Sequence, residues 1–186
     1  MPLLDAKKSR KAKASRPEWS DEQPLTCERW MTLEVYTIKP LDSVAHARAL
    51  LEEHRISQLP VVKGGVLVGI VTDRDLRDAV SAVTTSARIA GMGKTAPQTP
   101  DEIRVEAVMT SNVIMLNRHS SLVAAAEVMR RERIGSVPIV DGQTLVGIVT
   151  RSDILEAFVA RENGRSERAD RAATLKRKDQ NTEISR

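Results

Sequence analysis

The chain contains the same unit twice. Residues 31–80 match residues 109–158 without a gap at a constant offset of 78 positions, and 18 of the 50 aligned pairs are identical. The closest match covers 67–72 and 145–150, where both copies are Leu-Val-Gly-Ile-Val-Thr and an aspartate follows three residues later. A register kept through loops as well as apolar segments indicates two copies of one structural unit. We therefore expect a tandem pair of small modules in which a site built by one copy has a counterpart in the other.

Composition limits what this pair can be. The 186 residues are 41% hydrophobic but only 2% aromatic, so a core has to be built from aliphatic side chains. No apolar run approaches the roughly 20 residues that span a bilayer, and the N-terminus becomes charged before a signal-peptide core develops. The single Cys27 has no partner in the chain for a disulfide or a metal site. These features predict a cytoplasmic protein without membrane contact.

The positive charge lies at the two ends of the chain. Residues 1–16 carry six basic and one acidic residue, and residues 161–186 carry eight basic and five acidic ones. Residues 17–160 carry 15 basic and 19 acidic residues, so the net charge of +4 comes from the ends. Basic tails either remain solvated or bind a polyanion such as nucleic acid. We predict a disordered basic tail over 1–24 and a charged C-terminal tail over 161–186.

Each copy has the same predicted order of elements, β-α-β-β-α. A short extended segment precedes a helix with a polar N-cap, and a hairpin with a glycine turn precedes a second helix. The candidate caps of the first helix are Asp42 or Ser43 in one copy and Ser120 or Ser121 in the other. The near-continuous apolar strands predict a mixed α/β (α+β) fold, with helices on one face of each sheet and the second copy on the other.

The predicted domain limits follow from these elements. The first domain covers 25–80 and the second 104–160, with 81–103 as a linker that forms a loop containing one helical turn. A short helical lead-in is predicted over 26–31, where Thr26 caps the helix and Trp30 packs inward.

A Thr-x-x-Asp motif stands in both copies where a strand is predicted to end and a helix to begin. It comprises Thr72 and Asp75 in the first copy and Thr150 and Asp153 in the second. A helix N-terminus attracts phosphate through its unpaired N–H groups, and an aspartate carboxylate suits the two hydroxyls of a ribose because it only accepts hydrogen bonds. The same spacing is typical of a capping box, in which both side chains bond the helix's own N–H groups. Spacing alone leaves both interpretations open.

Further shared patterns point to a known family. Both copies open with Met-Thr, continue with Arg-Ile-x-x-x-Pro, and end in Gly-Ile-Val-Thr-x-x-Asp. With this set the chain resembles a stand-alone tandem pair of cystathionine-β-synthase (CBS) domains, a Bateman module, over nearly all of 31–80 and 109–158. The resemblance implies two β-α-β-β-α units packed by their sheets about a pseudo-two-fold axis. It also implies two clefts that bind adenosine-containing ligands such as AMP, ADP, ATP, NAD or S-adenosylmethionine.

The resemblance also implies roles for individual residues. Asp75 and Asp153 would hold riboses, and Thr72 and Thr150 would face phosphates. The turns Ser57-Gln58 and Gly135-Ser136 would border the clefts. The backbone near Tyr36 and Ile114 would contact the adenine edge. Some nucleotide-sensing relatives carry a phosphate-binding His or Arg three residues before the proline, where this chain has Ser57 and Gly135. Either Arg74 and Arg151 replace that contact or they are exposed first-turn residues. A weak phosphate grip favours a monophosphate or a ligand without phosphate.

Together these expectations predict a regulatory protein rather than an enzyme. The sequence offers no acid–base or nucleophile set, and its three histidines are too scattered to form a metal site. The preferred hypothesis is an adenosine-ligand sensor, homodimeric by resemblance, that changes its dimer contacts or its contacts with an effector protein. The alternative is a dimerising scaffold whose basic tails bind nucleic acid or another polyanion without a small-molecule ligand.

Overall fold

The structure is a computed structural model that describes residues 25–89 and 99–166. The predicted tail over 1–24, all but the first residues of the tail over 161–186, and part of the predicted linker lie outside the described residues. The predicted domain limits therefore remain a prediction.

The order β-α-β-β-α is confirmed in the second copy, and the first copy follows it except that its first strand is reduced to a bridge. The first copy contains α1 (Cys27–Trp30), α2 (Val44–His54), β1 (Gln58–Lys63), β2 (Val66–Thr72) and α3 (Asp73–Ile89). The second contains a 3-10 turn (Val105–Ala107), β3 (Leu116–Asn117), α4 (Leu122–Glu132), β4 (Ser136–Asp141), β5 (Thr144–Thr150) and α5 (151–166). The extended segment of the first copy forms only an isolated bridge, between Ile38 and Val61. Helix α3 continues to Ile89, into the segment predicted as a loop.

Serine side chains begin the two equivalent helices. Ser43 accepts a hydrogen bond from the backbone N–H of His46 at 3.1 Å, and Ser121 accepts one from Ala124 at 3.0 Å. Each satisfies one of the N–H groups that a helix start leaves unpaired. Of the two candidates in each copy, the serine next to the helix is therefore the cap. Thr26 precedes α1 without a side-chain cap hydrogen bond, so its predicted capping role is wrong.

Two hairpins form the sheet. Strands β1 and β2 pair antiparallel, as do β4 and β5, and the five strands lie in the order β1-β2-β5-β4-β3. The hairpin turns contain glycines with positive φ, namely Gly64, Gly65 and Gly142. Residues with a side chain rarely adopt this backbone conformation. The hairpins join through one residue pair, Val66 with Thr144. These two residues are equivalent at the offset of 78, so they mark the centre of the pseudo-two-fold relation.

The segments that lead into each copy are exchanged. The backbone of Thr32, the second residue of the first copy, pairs with Ile148 of the second through hydrogen bonds of 2.8 and 3.0 Å. Thr110, the second residue of the second copy, pairs with Ile70 of the first at 2.9 and 3.0 Å. Each lead-in segment therefore extends the strand of the other copy. The sequence did not predict this exchange.

The exchange extends into the hydrophobic cores. The core of the first copy, built on residues such as Leu59 and Leu76, includes Ile103 and Val105 from the segment ahead of the second copy. The core of the second copy includes residues from the segment ahead of the first: Cys27, Trp30 and Met31. The predicted packing of Trp30 is confirmed, since it is buried. Each core is completed by the other copy.

Candidate functional site

The Thr-x-x-Asp motif of the first copy lies where β2 passes directly into α3. Thr72 donates to Oδ2 of Asp75 through its backbone N–H at 2.8 Å and through its hydroxyl at 2.7 Å. The backbone N–H of Asp75 donates in return to Oγ1 of Thr72 at 3.3 Å. Both residues are half-buried. Thr72 and Asp75 therefore form a capping box, which is one of the two interpretations that the spacing left open.

The second copy repeats this arrangement between β5 and α5. Thr150 donates to Oδ2 of Asp153 at 2.7 Å through both its N–H and its hydroxyl, and the N–H of Asp153 lies 3.4 Å from Oγ1 of Thr150. The two copies differ in accessibility, because Asp153 is only 2% exposed whereas Asp75 is half-buried. Identical motifs therefore present their carboxylates to solvent unequally.

A capping role leaves part of the Asp75 carboxylate for other partners. Both side-chain hydrogen bonds recorded for Asp75 among the described residues use Oδ2. A carboxylate has about four acceptor positions over its two oxygens, so Oδ1 retains the capacity to accept hydroxyl donors. The cap also fixes the carboxylate in one orientation before any ligand arrives. Capping and ribose binding are therefore compatible at this residue.

The turns that precede β1 and β4 lie against the starts of the two helices. The carbonyl oxygen of Ser57 accepts the N–H of Asp73 at 2.9 Å, and that of Gly135 accepts the N–H of Arg151 at 3.2 Å. The structure thus brings two groups of predicted site residues together. We name residues 57–58 with 72–75 the first junction, and residues 135–136 with 150–153 the second junction.

The two arginines of the junctions point to protein groups. Arg74 lies 3.9 Å from Asp78, one turn further along α3, with 86% of its side chain exposed. Arg151 donates from Nη2 to the carbonyl of Ile134 at 3.1 Å. Arg74 therefore adopts the position of an exposed first-turn residue. Arg151 is exposed as well, but its hydrogen bond holds it beside the turn of the second junction.

A buried hydroxyl in the second junction has no recorded partner. Ser136 is 2% exposed, and its Oγ makes no hydrogen bond within the described structure. Ser136 lies opposite Thr150 in the β4–β5 ladder, and directly opposite residues project from the same face of a sheet. The equivalent pair of the first copy is Gln58 with Thr72. The sequence predicted Ser136 as a border residue, but its burial depends on tertiary packing.

The residues assigned to adenine contact differ between the copies. Tyr36 is half-buried and stacks on His54 with ring centroids 3.7 Å apart and an angle of 12° between planes. Ile114, its counterpart, is 39% exposed. The stacking of His54 on Tyr36 was not predicted from the sequence, because the two residues meet only in the folded chain. The roles of Tyr36 and Ile114 stay predictions.

Comparison with known proteins identifies the family. The family model of the CBS domain matches residues 27–82 and 105–160, which contain the two copies of the repeat. The chain belongs to the CBS domain family. The resemblance inferred from the shared patterns is thereby confirmed, and with it the tandem arrangement of the fold.

Relatives of this CBS pair include short proteins and solved structures. The CBS domain-containing protein YhcV of Bacillus subtilis is 35% identical over 73% of this chain and 87% of its own. The CBS pair of MJ0100, solved with 5′-methylthioadenosine and S-adenosyl-L-methionine, has a TM-score of 0.60 and 28% identity, covering 75% of this chain and 99% of that one. CBSX2, solved with AMP, has a TM-score of 0.60 and 25% identity, covering 74% and 98%. Other curated relatives are longer, and the chain spans 23 and 32% of two of them.

The described part of the CBS pair contains neither a metal-binding cluster nor a membrane-spanning helix. Within residues 25–89 and 99–166, no group of three or more His, Cys, Asp or Glu side chains is placed to hold a metal ion. Over the same residues, none of the helices combines the length and the apolar character needed to cross a membrane.

Proposed function

We propose that this CBS pair is a regulatory module that binds an adenosine-containing ligand, with the first junction as its principal site. The proposal depends on the orientation and accessibility of the Asp75 carboxylate. This carboxylate is held in place by Thr72 through Oδ2, remains partly exposed, and keeps Oδ1 for further donors. A pre-oriented acceptor of this kind suits the adjacent 2′- and 3′-hydroxyls of a ribose.

The charges at the first junction favour a ligand with at most one phosphate. The first turn of α3 carries Asp73 and Asp75, which already complement the positive end of the helix. Arg74 is turned towards Asp78, and Ser57 brings no cation to the turn. Arg77 already pairs with Asp73 at 2.8 Å, so each additional phosphate would have to draw Arg77 or Arg74 away from a carboxylate. Methylthioadenosine, S-adenosylmethionine and AMP therefore suit this junction better than ATP.

The second junction is the weaker candidate. Asp153 is 2% exposed, so a ribose reaches it only if the surrounding structure opens. Ser136 gives this junction a different feature, since a ligand or water that bonded its buried hydroxyl would remove the cost of an unsatisfied group. We propose that the second junction binds later or more weakly than the first.

Two solved relatives support the class of ligand. The MJ0100 pair was solved with methylthioadenosine and S-adenosylmethionine, and CBSX2 with AMP. All three ligands contain adenosine and carry either one phosphate or none. The proposed preference for few phosphates at the first junction agrees with this set.

A ligand regulates only if it binds one arrangement of the protein more tightly than another. Both junctions lie at the connections between strands and helices, so occupancy acts on the tilt of α3 or α5 against the sheet. We propose that a second copy of the chain or an effector protein responds to this change. No contact among the described residues supports the alternative, because the basic tails on which it depends lie outside them.

The test separates the cap from the ligand contact. Asp75→Asn keeps an oxygen for the cap but replaces the second acceptor with a donor, so helix stability is largely kept while ribose binding is lost. Loss of hydrogen bonds to a charged acceptor costs about 1.5–3 kcal/mol, which is roughly a 10- to 150-fold weaker Kd. Isothermal titration of the wild type and the variant with methylthioadenosine, S-adenosylmethionine, AMP and ATP measures this directly. Asp78→Asn, one turn further along the same helix, is the matched control.

The expected result is binding by the wild type and by Asp78→Asn, with loss of affinity in Asp75→Asn and a smaller loss in Asp153→Asn. Wild-type protein that binds none of these ligands at millimolar concentration contradicts the proposed function. Tightest binding by ATP contradicts only the inferred phosphate preference. Equal affinity of Asp75→Asn and the wild type shows that the carboxylate serves the cap alone.

A further inference from the structure

The surroundings of the two junctions carry opposite charge. In the first copy, residues 52–55 and 73–75 include two basic and four acidic side chains, a net charge of −2. The equivalent residues of the second copy, 130–133 and 151–153, include four basic and two acidic side chains, a net charge of +2. Three acidic positions of the first copy are arginines in the second (Glu52 with Arg130, Glu53 with Arg131, Asp73 with Arg151). A charged ligand therefore meets opposite potentials at the two junctions.

Arg151 holds its charge beside the turn of the second junction. Its Nη2 donates to the carbonyl oxygen of Ile134 at 3.1 Å, and because a guanidinium has five N–H donors, others remain for a ligand. Open space adjoins this turn, since a Cβ added to Gly135 would meet no atom within 4 Å. The equivalent position to Arg151 in the first junction is Asp73, so only the second junction offers a cation there.

Two further features of the second junction suit an anion. Ser136 is 2% exposed, its Oγ has no hydrogen-bond partner within the described structure, and it projects from the same face of the sheet as Thr150, directly before α5. A buried hydroxyl without a partner is costly, so a ligand oxygen that bonded it would be stabilised. The first turn of α5 adds the positive end of the helix dipole, which faces one aspartate where α3 has two.

The first junction suits a cation better than an anion. Asp73 pairs with Arg77 at 2.8 Å, but their side chains are 49% and 66% exposed. Because an exposed ion pair of this kind is weak, a ligand ammonium or sulfonium group can share the carboxylate. A phosphate, in contrast, would have to draw the arginine away from Asp73.

We propose that the two junctions select adenosine ligands of opposite charge and bind them at the same time. The second takes a phosphorylated ligand such as AMP, whose phosphate contacts Arg151 and Ser136. The first takes a cationic ligand such as S-adenosylmethionine, whose cationic end lies beside Asp73. This inference rests on the proposed function, because it assigns ligands to the same junctions. The phosphate contact also offsets part of the cost of opening the structure around Asp153, so the weakness of the second junction is greatest for ligands without phosphate.

Variants with one working junction separate the two preferences. Asp75→Asn leaves the second junction and Asp153→Asn leaves the first, and both keep an oxygen for the cap. Isothermal titration of each variant uses S-adenosylmethionine, AMP and the uncharged methylthioadenosine. In Asp75→Asn, AMP should bind about tenfold more tightly than methylthioadenosine, as expected for hydrogen bonds to a charged group. In Asp153→Asn, S-adenosylmethionine should bind more tightly than AMP.

Arg151→Gln tests the source of the phosphate preference. Added to Asp75→Asn, it should weaken AMP about tenfold and methylthioadenosine much less, since only AMP carries the phosphate. Arg165→Gln, which removes the same charge from the exposed far end of α5, is the matched control and should keep the preference for AMP. Circular dichroism checks that each variant is folded. In the wild type, saturation with S-adenosylmethionine should leave a site for AMP.

Three results would overturn the charge selection while leaving the proposed function intact. They are equal affinities of AMP and methylthioadenosine in Asp75→Asn, a preference for AMP that survives Arg151→Gln, and full competition between S-adenosylmethionine and AMP in the wild type. If the wild type binds none of the three ligands, the proposed function fails and the charge selection fails with it.

Discussion

The exchange of lead-in segments can be tested at Gly147. A Cβ added there would lie 2.5 Å from Sδ of Met31 and 3.0 Å from the carbonyl oxygen of Thr32. Non-bonded heavy atoms prefer about 3.5–4.0 Å, so Gly147→Ala has to displace the lead-in segment of the first copy from the second. Overpacking of a core costs typically about 1–3 kcal/mol. We expect the upper half of this range, because the Thr32 carbonyl accepts the N–H of Ile148 at 3.0 Å and cannot retreat without losing that bond.

Gly69 is the matched position in the first copy. A Cβ there would overlap the side chain of Met109, and the three nearest atoms all belong to that side chain. Methionine is unbranched and adapts its shape readily. Gly69→Ala should therefore destabilise the protein by about 1 kcal/mol, at the lower end of the same range. The difference between the two variants measures the contribution of the backbone contact at Thr32.

A double-mutant cycle assigns the cost to the exchanged contact. Met31→Ala alone should cost about 2–4 kcal/mol through the cavity it leaves. In that background the contact with the Thr32 carbonyl remains, so Gly147→Ala should still cost about 1–2 kcal/mol, giving a coupling energy of about 1 kcal/mol. Urea unfolding at a constant m value gives the four free energies. If the two substitutions are additive, Met31 does not pack on Gly147, and the exchange is wrong.

Three further predictions concern single side chains. Ser136→Ala removes a buried hydroxyl without a recorded partner and should stabilise the ligand-free protein by about 1–2 kcal/mol in urea unfolding, so a loss of stability would mean that the hydroxyl is satisfied. Arg133 ends α4 in the left-handed region at φ 56°, which glycine adopts without strain, so Arg133→Gly should stabilise the protein by about 0.5–1 kcal/mol, measured by the shift in melting temperature. Burial raises the pKa of the Cys27 thiol to about 11, so at pH 8 roughly one molecule in a thousand is thiolate, and a thiol reagent should label native protein far more slowly than unfolded protein.

Local sequence patterns predicted the elements of the fold well. The alternation of apolar strands about glycine turns gave both hairpins, and a serine ahead of an apolar stripe gave the caps at Ser43 and Ser121. These features depend on residues close together in the chain, whose preferences tertiary packing did not override. Thr26 is the exception: its backbone bridges to Ser121 of the other copy, and its side chain makes no cap hydrogen bond.

The sequence could not distinguish the two environments of the Thr-x-x-Asp motif. Its spacing predicted both the capping box and the ligand contact, and the hydrogen bonds within the motif are the same in both copies. Asp75 and Asp153 differ in exposure because of the residues packed around them, which no local pattern encodes. The opposite faces of α5 illustrate the same limit, since Leu155 and Phe158 are as apolar as core residues and yet lie in solvent.

The duplication makes the exchange of the lead-in segments possible, and it also prevents the sequence from revealing that exchange. Both lead-ins carry Met-Thr and both strands carry the glycine that receives the methionine, so each segment fits either core equally well by local criteria. Only the folded chain decides between them. Thr32 pairs with Ile148, two residues before Thr150, and lies four residues before Tyr36, so one bridge connects the strand that ends at the second junction to the segment that carries Tyr36. Because each core is completed by the other copy, the two copies should unfold in a single transition.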